Sequence, residues 1–356
     1  MTDFKADALP LLIGSLPMKD HDAATRLILE FTPEVPLWAQ LPMFLEEGMA
    51  AQFLPGMPGF TESPEGKLYI NEESDTFDAE YLAFYEEYLA VTEAGANLDD
   101  SRFSLTPATG RGFKEFMRQV DQDTSGFKAL KGQVTGPFTF ATSVTDKGGR
   151  AIFYNDQLRD AAIKHLAMNA KWQARTFASR NLTPIIFFDE PALAGFGTSA
   201  FITVSRTEVT EAINEVMAAV HEEGGLTGIH VCANTEWDLL LDSKIDIINF
   251  DAYSYFDKFI LYPEKIKNFI ARGGIIAWGI VPTDNADDIA KETCDTLGEK
   301  LEAQFAQMEA IGIDRATLLS QSFITPSCGV GSLSLNLAER VLALTRDLSA
   351  KIREPF

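Results

Sequence analysis

The feature that most constrains the fold is a repeated alternation of short apolar runs and amphipathic stretches along the whole chain. Eight apolar runs have the length and composition of buried strands, and a stretch with helical periodicity follows each of them. The runs span residues 11–13, 35–39, 127–134, 184–188, 227–234, 245–250, 274–281 and 318–324. Strands that alternate with helices form parallel sheets through right-handed crossovers. Eight such units predict an α/β protein folded as a (β/α)₈ TIM barrel.

The segments between these runs complete the predicted domain. Helical periodicity covers residues 20–31, 77–92, 112–120, 156–179, 207–223, 237–241, 262–272, 289–311 and 335–352, and Asp20 or Asp22 caps the first helix. Residues 53–76 are rich in Pro, Gly and polar residues, which predicts a loop or hairpin insertion after the second strand, with a strand at 68–70. A glycine fingerprint for dinucleotide binding is missing, which disfavours a doubly wound sheet. No linker divides the sequence, so we expect residues 1–356 to form a single barrel domain.

Composition limits the environment and the partners of the chain. Its 356 residues are 46% hydrophobic, enough for a large core without disulfides, and three cysteines favour a reducing compartment. The N-terminus lacks the regions of a signal peptide, and no apolar run approaches the ~20 residues that span a bilayer. A net charge of −22 disfavours nucleic acids and anionic membranes as partners. We therefore expect a cytoplasmic protein that acts on a small molecule.

Two cysteines and a histidine form a candidate metal site. His230 and Cys232 have the spacing that places both side chains on one face of a strand, and Cys328 follows another apolar run in a Pro/Gly loop. In a barrel the carboxyl ends of all strands open onto one face. Asp251 ends the neighbouring strand and could supply a carboxylate, which predicts Zn²⁺ bound by His230, Cys232, Asp251 and Cys328. Alternatively, the three soft residues are buried core, and Asp251 only orients His230.

A zinc site rich in cysteine is suited to thiol chemistry. A free thiol has a pKa near ~8.5 and is mostly protonated at neutral pH. A thiol that binds a metal is deprotonated, and the resulting thiolate can attack a methyl group in line. The predicted reaction is therefore methyl transfer to the sulfur of a small substrate.

Other polar residues also lie at predicted strand ends. We expect Gly14, Ser15, Asp189 and Gln133 to contact the substrate. Gln40 and Thr135 are predicted to line the pocket or brace its loops, and Glu190 is predicted to pair with a basic residue. The remaining histidines and Cys294 lie in helical stretches and are predicted to be surface or packing residues. These histidines are His21, His165 and His221.

Six short motifs in the same order carry a family resemblance that covers nearly the whole chain. They are I-G-S-L-P at 13–17, T-G-P at 135–137, D-E-P-A-L at 189–193, H-V-C at 230–232, I-D-I-I-N-F-D at 245–251 and P-S-C-G at 326–329. The chain resembles the catalytic barrel of the cobalamin-independent methionine synthases, in the superfamily that includes uroporphyrinogen decarboxylase. The resemblance implies zinc on the three soft ligands and on the residue at Asp251, where the family has glutamate. It also implies that Asp189 meets the homocysteine amino group, and that Ser15 and its neighbouring backbone hold the carboxylate.

Three departures from the family concern the methyl donor. Ser143 replaces a tryptophan that stacks on folate, Gly195 replaces a folate-binding glutamate, and Ile280 replaces a histidine that protonates the leaving nitrogen. Methyltetrahydrofolate needs that proton, whereas a methylcorrinoid does not. The family's second, N-terminal barrel is also missing from this sequence. We therefore expect methylcobalamin or a corrinoid protein as the donor, with homocysteine as the acceptor and methionine as the product.

Three alternatives stay open at this point. Related zinc barrels methylate other thiols, such as coenzyme M, and share the H-x-C and C-G signatures and the W-A-Q-L-P segment at 38–42. A lyase of the uroporphyrinogen decarboxylase type needs no zinc but needs basic residues, which this acidic chain supplies poorly. A non-catalytic barrel could bind a corrinoid protein or store zinc.

Overall fold

A curled parallel sheet forms the centre of the protein. The computed structural model describes residues 4–354. Its strands are β1 Leu9–Pro10, β2 Phe60–Glu62, β3 Leu68–Ile70, β4 Ala129–Thr135, β5 Thr183–Asp189, β6 Leu226–Val231, β7 Ile247–Phe250, β8 Ile275–Val281 and β9 Ser322–Pro326. Seven of them form one sheet in the order β1-β9-β8-β7-β6-β5-β4, and every pair in it is parallel. The predicted α/β class with a parallel sheet is confirmed.

The second predicted strand, residues 35–39, is not a regular strand. This segment makes single parallel bridges, from Leu37 to Lys131 of β4 and from Gln40 to Ser15. Pro36 explains the irregularity, because proline has no N–H to donate to a ladder. Its carbonyl still accepts a hydrogen bond from the Lys131 N–H at 2.9 Å. Among the described residues the sheet therefore has seven strands rather than the eight predicted.

Thirteen α-helices occur in the described residues, and most coincide with predicted ones. They are α1 His21–Phe31, α2 Phe77–Thr92, α3 Arg111–Val120, α4 Pro137–Ser143, α5 Asp156–Ala178, α6 Arg206–His221, α7 Trp237–Leu241, α8 Ala252–Phe259, α9 Pro263–Ala271, α10 Ala286–Lys291, α11 Cys294–Ala310, α12 Arg315–Ser320 and α13 Leu335–Arg353. Asp20 caps α1 by accepting hydrogen bonds from two backbone N–H groups, as predicted. No helix of the described part is long and apolar enough to cross a membrane.

Local capping explains two differences from the predicted elements. The single helix expected over 289–311 is divided into α10 and α11, because Thr293 forms a capping box with Thr296 and starts a new helix. Residues 318–320 were expected to begin the last strand, but they end α12, which Asp314 caps through the Thr317 N–H. Helices α4, α8 and α12 were not predicted. Helices α4 and α8 are short segments directly after β4 and β7.

Alternate residues of each strand enter two separate hydrophobic clusters. Ile185 and Phe187 of β5 belong to a smaller cluster on the inner face of the curled sheet, whereas Ile186 and Phe188 pack outward against the helices. Burial on both faces explains why the strands read as continuous apolar runs. The inner face becomes polar toward the carboxyl ends of the strands, where Gln133, His230 and Asn249 are all buried. Polar chemistry is therefore concentrated at one end of the sheet.

The predicted insertion at 53–76 contains an antiparallel hairpin. Strands β2 and β3 pair from Phe60 with Ile70 to Glu62 with Leu68. The Ile70 N–H donates to the Thr145 carbonyl at 2.9 Å, which ties the hairpin to the loop that follows α4. The hairpin is thus attached to the segment between α4 and α5.

Candidate metal centre

Strand β6 positions His230 and Cys232. His230 lies opposite Asp189 of β5 and opposite Asn249 of β7 in the parallel register. Cys232 follows the last residue of the strand and shares the side of His230, as residues two apart in an extended chain do. Both side chains therefore point to the polar end of the inner face.

The loop after β9 brings Cys328 to the same place. This loop packs closely on Ser15, because a Cβ on Gly329 would lie 2.2 Å from the Ser15 Oγ. The Gly331 N–H donates to the same Oγ at 3.2 Å. Ser15, predicted as a substrate contact, therefore braces the Cys328 loop, and a side chain at position 329 would displace the Ser15 hydroxyl.

The structure brings the three predicted soft ligands together. The potential ligand atoms of His230, Cys232 and Cys328 all lie within 4.8 Å of one another. The Nε2 of His230 is buried and has no hydrogen-bond partner among residues 4–354. An unpaired buried imidazole nitrogen beside two sulfurs is the donor set that a thiophilic metal such as Zn²⁺ prefers. The residues present therefore fit a zinc ion.

The contact between the two thiols shifts their pKa values in opposite directions, which favours a cation at this position. A hydrogen bond from Cys328 stabilises a Cys232 thiolate and lowers the pKa of Cys232. The same contact raises the pKa of Cys328, because a second negative charge would lie beside the first, and burial adds to the shift. A divalent cation between them would remove this repulsion and allow both to ionise. Burial lowers the pKa of His230 to about 4, so its imidazole is neutral and able to bind a metal.

A cavity of about 230 Å³ opens directly onto the three ligands. Its lining combines the predicted ligands with apolar and small residues, and no Lys or Arg is among these described lining residues. They are Ile13, Ser15, Gln40, Pro42, Glu47, Met49, Asp189, Pro191, His230, Cys232, Cys328, Gly329, Gly331 and Ser332. The cavity has room for a small ligand whose reacting atom contacts the sulfurs.

Asp189 is the buried carboxylate of this cavity. Its Oδ1 is enclosed and accepts no hydrogen bond from the described part of the chain. Burial raises the pKa of Asp189 to about 6, while the positive charge of Lys131 acts in the opposite direction. Burial in turn lowers the pKa of Lys131 to about 8, and its Nζ donates to the Ile13 carbonyl. At neutral pH the cavity therefore contains an ionised carboxylate, and its Oδ1 has no hydrogen-bond donor among the described residues.

Gln133 and Gly14, also predicted to contact the substrate, lie just below the cavity lining. Gln133 donates its Nε2 to the Trp38 carbonyl at 2.8 Å, and its Oε1 is buried without a partner. A Cβ on Gly14 would lie 3.0 Å from the Gln133 Nε2 and 3.3 Å from the Gln40 Oε1. The absence of a side chain at position 14 allows these amides to pack beside the first strand.

Asp251, predicted as the fourth ligand, is not part of the metal-ligand cluster among the described residues. Its Oδ1 accepts a hydrogen bond from the Ser254 N–H at 2.8 Å and caps α8. The alternative role, orientation of His230, belongs to a different residue, because Asn249 is the partner of the His230 Nδ1. The described residues thus group three candidate ligands, and Asp251 caps the helix that follows its strand.

The other sequence candidates have structural partners. Glu190 accepts hydrogen bonds from the N–H groups of Phe138 and Thr139 at 2.9 and 2.8 Å, so its partner is the start of α4 rather than a basic residue. Gly136 permits this approach, because a Cβ there would lie 2.2 Å from the Glu190 carboxyl carbon. Burial raises the pKa of Glu190 to about 7, against these hydrogen bonds. Thr135 donates to the Met49 carbonyl at 2.6 Å and braces the cavity rim.

The remaining histidines and Cys294 lie outside the site. His165 is buried and contacts the Phe53 carbonyl, whereas His21 pairs with Glu47 and His221 with Asp246. Cys294 is half-buried at the start of α11. All four therefore have packing or pairing roles, in keeping with their helical positions.

Sequence reasoning missed three residues of the site. Asn249 and Lys131 are fully buried polar residues within apolar strands. A buried polar group without a hydrogen-bond partner costs free energy. A single polar residue within an apolar run was therefore the signal that could have identified them. Glu47 lines the cavity rim and pairs with His21 at 2.8 Å and Arg111 at 3.0 Å. Nothing local distinguished Glu47 from the other acidic residues of the chain.

Comparison with known proteins adds no family. No protein-family model matches the chain, and no curated protein matches it. Among solved structures it is similar to the tandem GH20 catalytic modules in the pneumococcal exo-β-D-N-acetylglucosaminidase, with 10% sequence identity and a TM-score of 0.46, over 96% of this chain and 85% of that chain. A likeness of this size carries no inference about chemistry. The fold and the site define an α/β protein with a curled parallel sheet and a His–Cys–Cys cluster at the carboxyl ends of its strands.

Proposed function

We propose that this protein is a zinc-dependent methyltransferase that transfers a methyl group to the thiol of homocysteine, giving methionine, with a methylcorrinoid as the donor. The observation that carries the proposal is the cluster of His230, Cys232 and Cys328, whose ligand atoms lie within 4.8 Å of one another. The unpaired, buried Nε2 of His230 supports a bound metal, since such an atom costs free energy without a partner.

Three protein ligands leave one position of a tetrahedral zinc site for a substrate. When bound, zinc would hold the substrate thiol as a thiolate at neutral pH. His230 and the two cysteines would hold the ion, and the half-buried sulfurs face a cavity that a small thiol can enter. Apolar lining residues such as Ile13, Pro191 and Met49 would exclude water from the reacting sulfur.

The charge of the cavity favours an amino-acid thiol. Asp189 offers an unpaired carboxylate oxygen, and the ammonium group of homocysteine is a donor that would satisfy it. The Ser15 region and the glycine-rich Cys328 loop contribute small residues to the cavity lining, where the carboxylate of the amino acid would lie. A sulfonate thiol such as coenzyme M gains nothing from Asp189. A porphyrinogen with many carboxylates would find no Lys or Arg among the described lining residues.

Exposed apolar residues beside the cavity support a methyl donor that is carried on another protein. Met43, Leu45 and Met49 are exposed apolar residues of one loop, and Leu45 is 87% exposed. Met49 also lines the cavity, so this loop connects the site with the surface. Ile280, at the position where the resembling family has its proton donor, is fully buried on β8 and carries no proton to give. A corrinoid donor, which leaves without protonation, agrees with these features.

We also propose that residues 34–40 complete a (β/α)₈ barrel as an irregular eighth strand. The Gln40 N–H donates to the Gly14 carbonyl at 3.0 Å, and the Leu16 N–H donates to the Gln40 carbonyl at 3.0 Å. On the other side the Lys128 N–H donates to the Glu34 carbonyl at 2.8 Å. The segment thus bonds to residues that follow β1 at one edge of the seven-stranded sheet and to the residue that precedes β4 at the other edge. Two reduced thiols at the site agree with a cytoplasmic location.

The test is a direct assay with purified, zinc-loaded protein. Methylcobalamin and homocysteine are supplied, and methionine is measured by mass spectrometry before and after treatment with a chelator and after zinc is restored. We expect methionine only with zinc, and little methylation when coenzyme M replaces homocysteine. Full activity of the chelated protein, or no methylation of any thiol, would contradict the proposal.

A further inference from the structure

The side chain of Asn249 has a single orientation that its neighbours enforce. Its Nδ2 lies 2.8 Å from the Ala277 carbonyl oxygen and 2.8 Å from the Thr325 Oγ1. A carbonyl oxygen can only accept, so the group beside Ala277 must be the NH₂ of the carboxamide. The Oδ1 of Asn249 therefore faces the other way, toward β6, where it contacts the Nδ1 of His230.

This orientation determines which ring nitrogen of His230 carries the proton. The Oδ1 of a carboxamide only accepts hydrogen bonds, so the His230 Nδ1 must be the donor. A neutral imidazole has one ring proton, and the Nε2 is then left with its lone pair. That Nε2 is buried without a partner among residues 4–354, and a ring nitrogen of His230 lies within 4.8 Å of both cysteine sulfurs. The geometry is therefore prepared for a ligand bond through Nε2.

The sheet holds this arrangement in place. Asn249 lies opposite His230 on one side and opposite Ala277 on the other, in the registers of β6–β7 and β7–β8. His230, Asn249 and Thr325 are all buried, so no water competes for these hydrogen bonds. The contacts run across four neighbouring strands, from His230 on β6 to Thr325 on β9.

We infer that Asn249, held by Thr325 and the Ala277 carbonyl, is a positioning residue that fixes the Nδ1–H tautomer of His230 and restricts it to binding a soft metal through Nε2. This inference rests on the proposed zinc site. It assigns to Asn249 the role of the partner that orients a metal-binding histidine. An aspartate at position 249 would also accept the Nδ1 proton, but it would lose both donors of the NH₂ group.

The tautomer and the zinc affinity can be measured separately. Long-range ¹⁵N NMR of the metal-free protein distinguishes Nδ1–H from Nε2–H in each of its four histidines, and the His230 signal is assigned by its loss in His230→Gln. Zinc affinity is measured by competition with a chelator. We expect wild-type His230 in the Nδ1–H form and Asn249→Leu in a mixture of forms. Loss of such a partner should weaken zinc binding roughly 10- to 100-fold.

Matched variants separate positioning from general damage. Asn169→Leu removes another buried asparagine, whose Nδ2 donates to the Phe103 carbonyl, and it should leave the zinc affinity unchanged. Asn249→Asp should restore the Nδ1–H form, because its carboxylate also accepts that proton, and it should bind zinc more tightly than Asn249→Leu. Should Asn249→Leu fail to fold, Thr325→Val removes one contact of the Nδ2 and should weaken zinc binding in the same direction.

Two results would overturn the inference. One is an Nε2–H tautomer of His230 in the wild-type protein. The other is wild-type zinc affinity in a folded Asn249→Leu or Thr325→Val variant. If the wild-type protein binds no zinc, the proposed function fails, whereas the NMR measurement still reports on Asn249 alone.

Discussion

Substitution of Asp189 by asparagine tests the substrate subsite of the proposed enzyme. The Asp189 carboxylate lines the cavity, and its Oδ1 is buried without a donor. Because burial raises its pKa to about 6, Asp189 is ionised at pH 7.5. A hydrogen bond to a charged group contributes about 2–3 kcal/mol, which corresponds to roughly 30- to 150-fold in an equilibrium constant. We expect Asp189→Asn to lose that factor in kcat/KM for homocysteine, mainly through KM.

The assay compares homocysteine with 4-mercaptobutanoate, which has the same thiol and carboxylate but no ammonium group. The wild type should prefer homocysteine by about the same factor, and Asp189→Asn should lose the preference while its rate with 4-mercaptobutanoate is retained. The wild-type preference should also decrease as the pH falls below about 6, because protonation removes the charge of Asp189. Asp251→Asn, at a buried strand-end carboxylate that caps α8, is the matched control and should keep the preference. An equal loss of rate with both thiols in Asp189→Asn would refute the ammonium subsite.

Three further predictions concern the metal and stability. Cys328→Ala should abolish stoichiometric zinc uptake, whereas Cys294→Ala should not, as measured by atomic absorption after dialysis. Glu190→Ala leaves two N–H groups of α4 without their buried acceptor and should lower the free energy of unfolding in urea by about 2–5 kcal/mol. Burial lowers the pKa of His165 from 6.5 to about 4, so the unfolded chain takes up this proton first and stability falls as the pH drops through that range. In His165→Gln the loss of stability over this range should be smaller by about 3 kcal/mol.

Each of these predictions has an outcome that contradicts it. Stoichiometric zinc in Cys328→Ala would exclude that sulfur as a ligand. An unchanged urea midpoint in Glu190→Ala would show that the start of α4 does not depend on the carboxylate. An unfolding free energy with the same pH dependence in His165→Gln and the wild type would assign the acid sensitivity to other groups.

The strand and helix pattern of this chain was largely predictable, and the misses have local causes. Seven of the eight apolar runs contain or adjoin a strand of the sheet, because a run buried on both faces has few other places to lie. The run at 35–39 does not form a regular strand, because Pro36 interrupts the hydrogen-bond ladder. Hydrophobic periodicity alone does not reveal such an interruption. Residues 318–320 were predicted as the start of a strand because Leu318 and Leu319 are apolar, but the cap at Asp314 makes them the end of a helix.

The grouping of His230, Cys232 and Cys328 was predictable, but the contacts that support these residues were not. His230 and Cys232 could be placed together because their spacing fixes a common face. Cys328 was a plausible third member of the cluster because it follows the apolar run at 318–324. The same reasoning assigned a carboxylate at Asp251, which instead caps α8. Asn249 lies two residues earlier, and only the register of β6 with β7 shows that it faces His230.

The order of apolar and amphipathic segments, written in the sequence itself, determined an α/β protein with a parallel sheet and put soft ligands at strand ends. Only the tertiary structure decided which of those strand-end residues meet. The physical reason is that distances of a few ångströms between residues almost a hundred positions apart depend on register, loop packing and the absence of a side chain at Gly329. Periodicity determines the face on which a side chain lies, whereas the fold determines its neighbours.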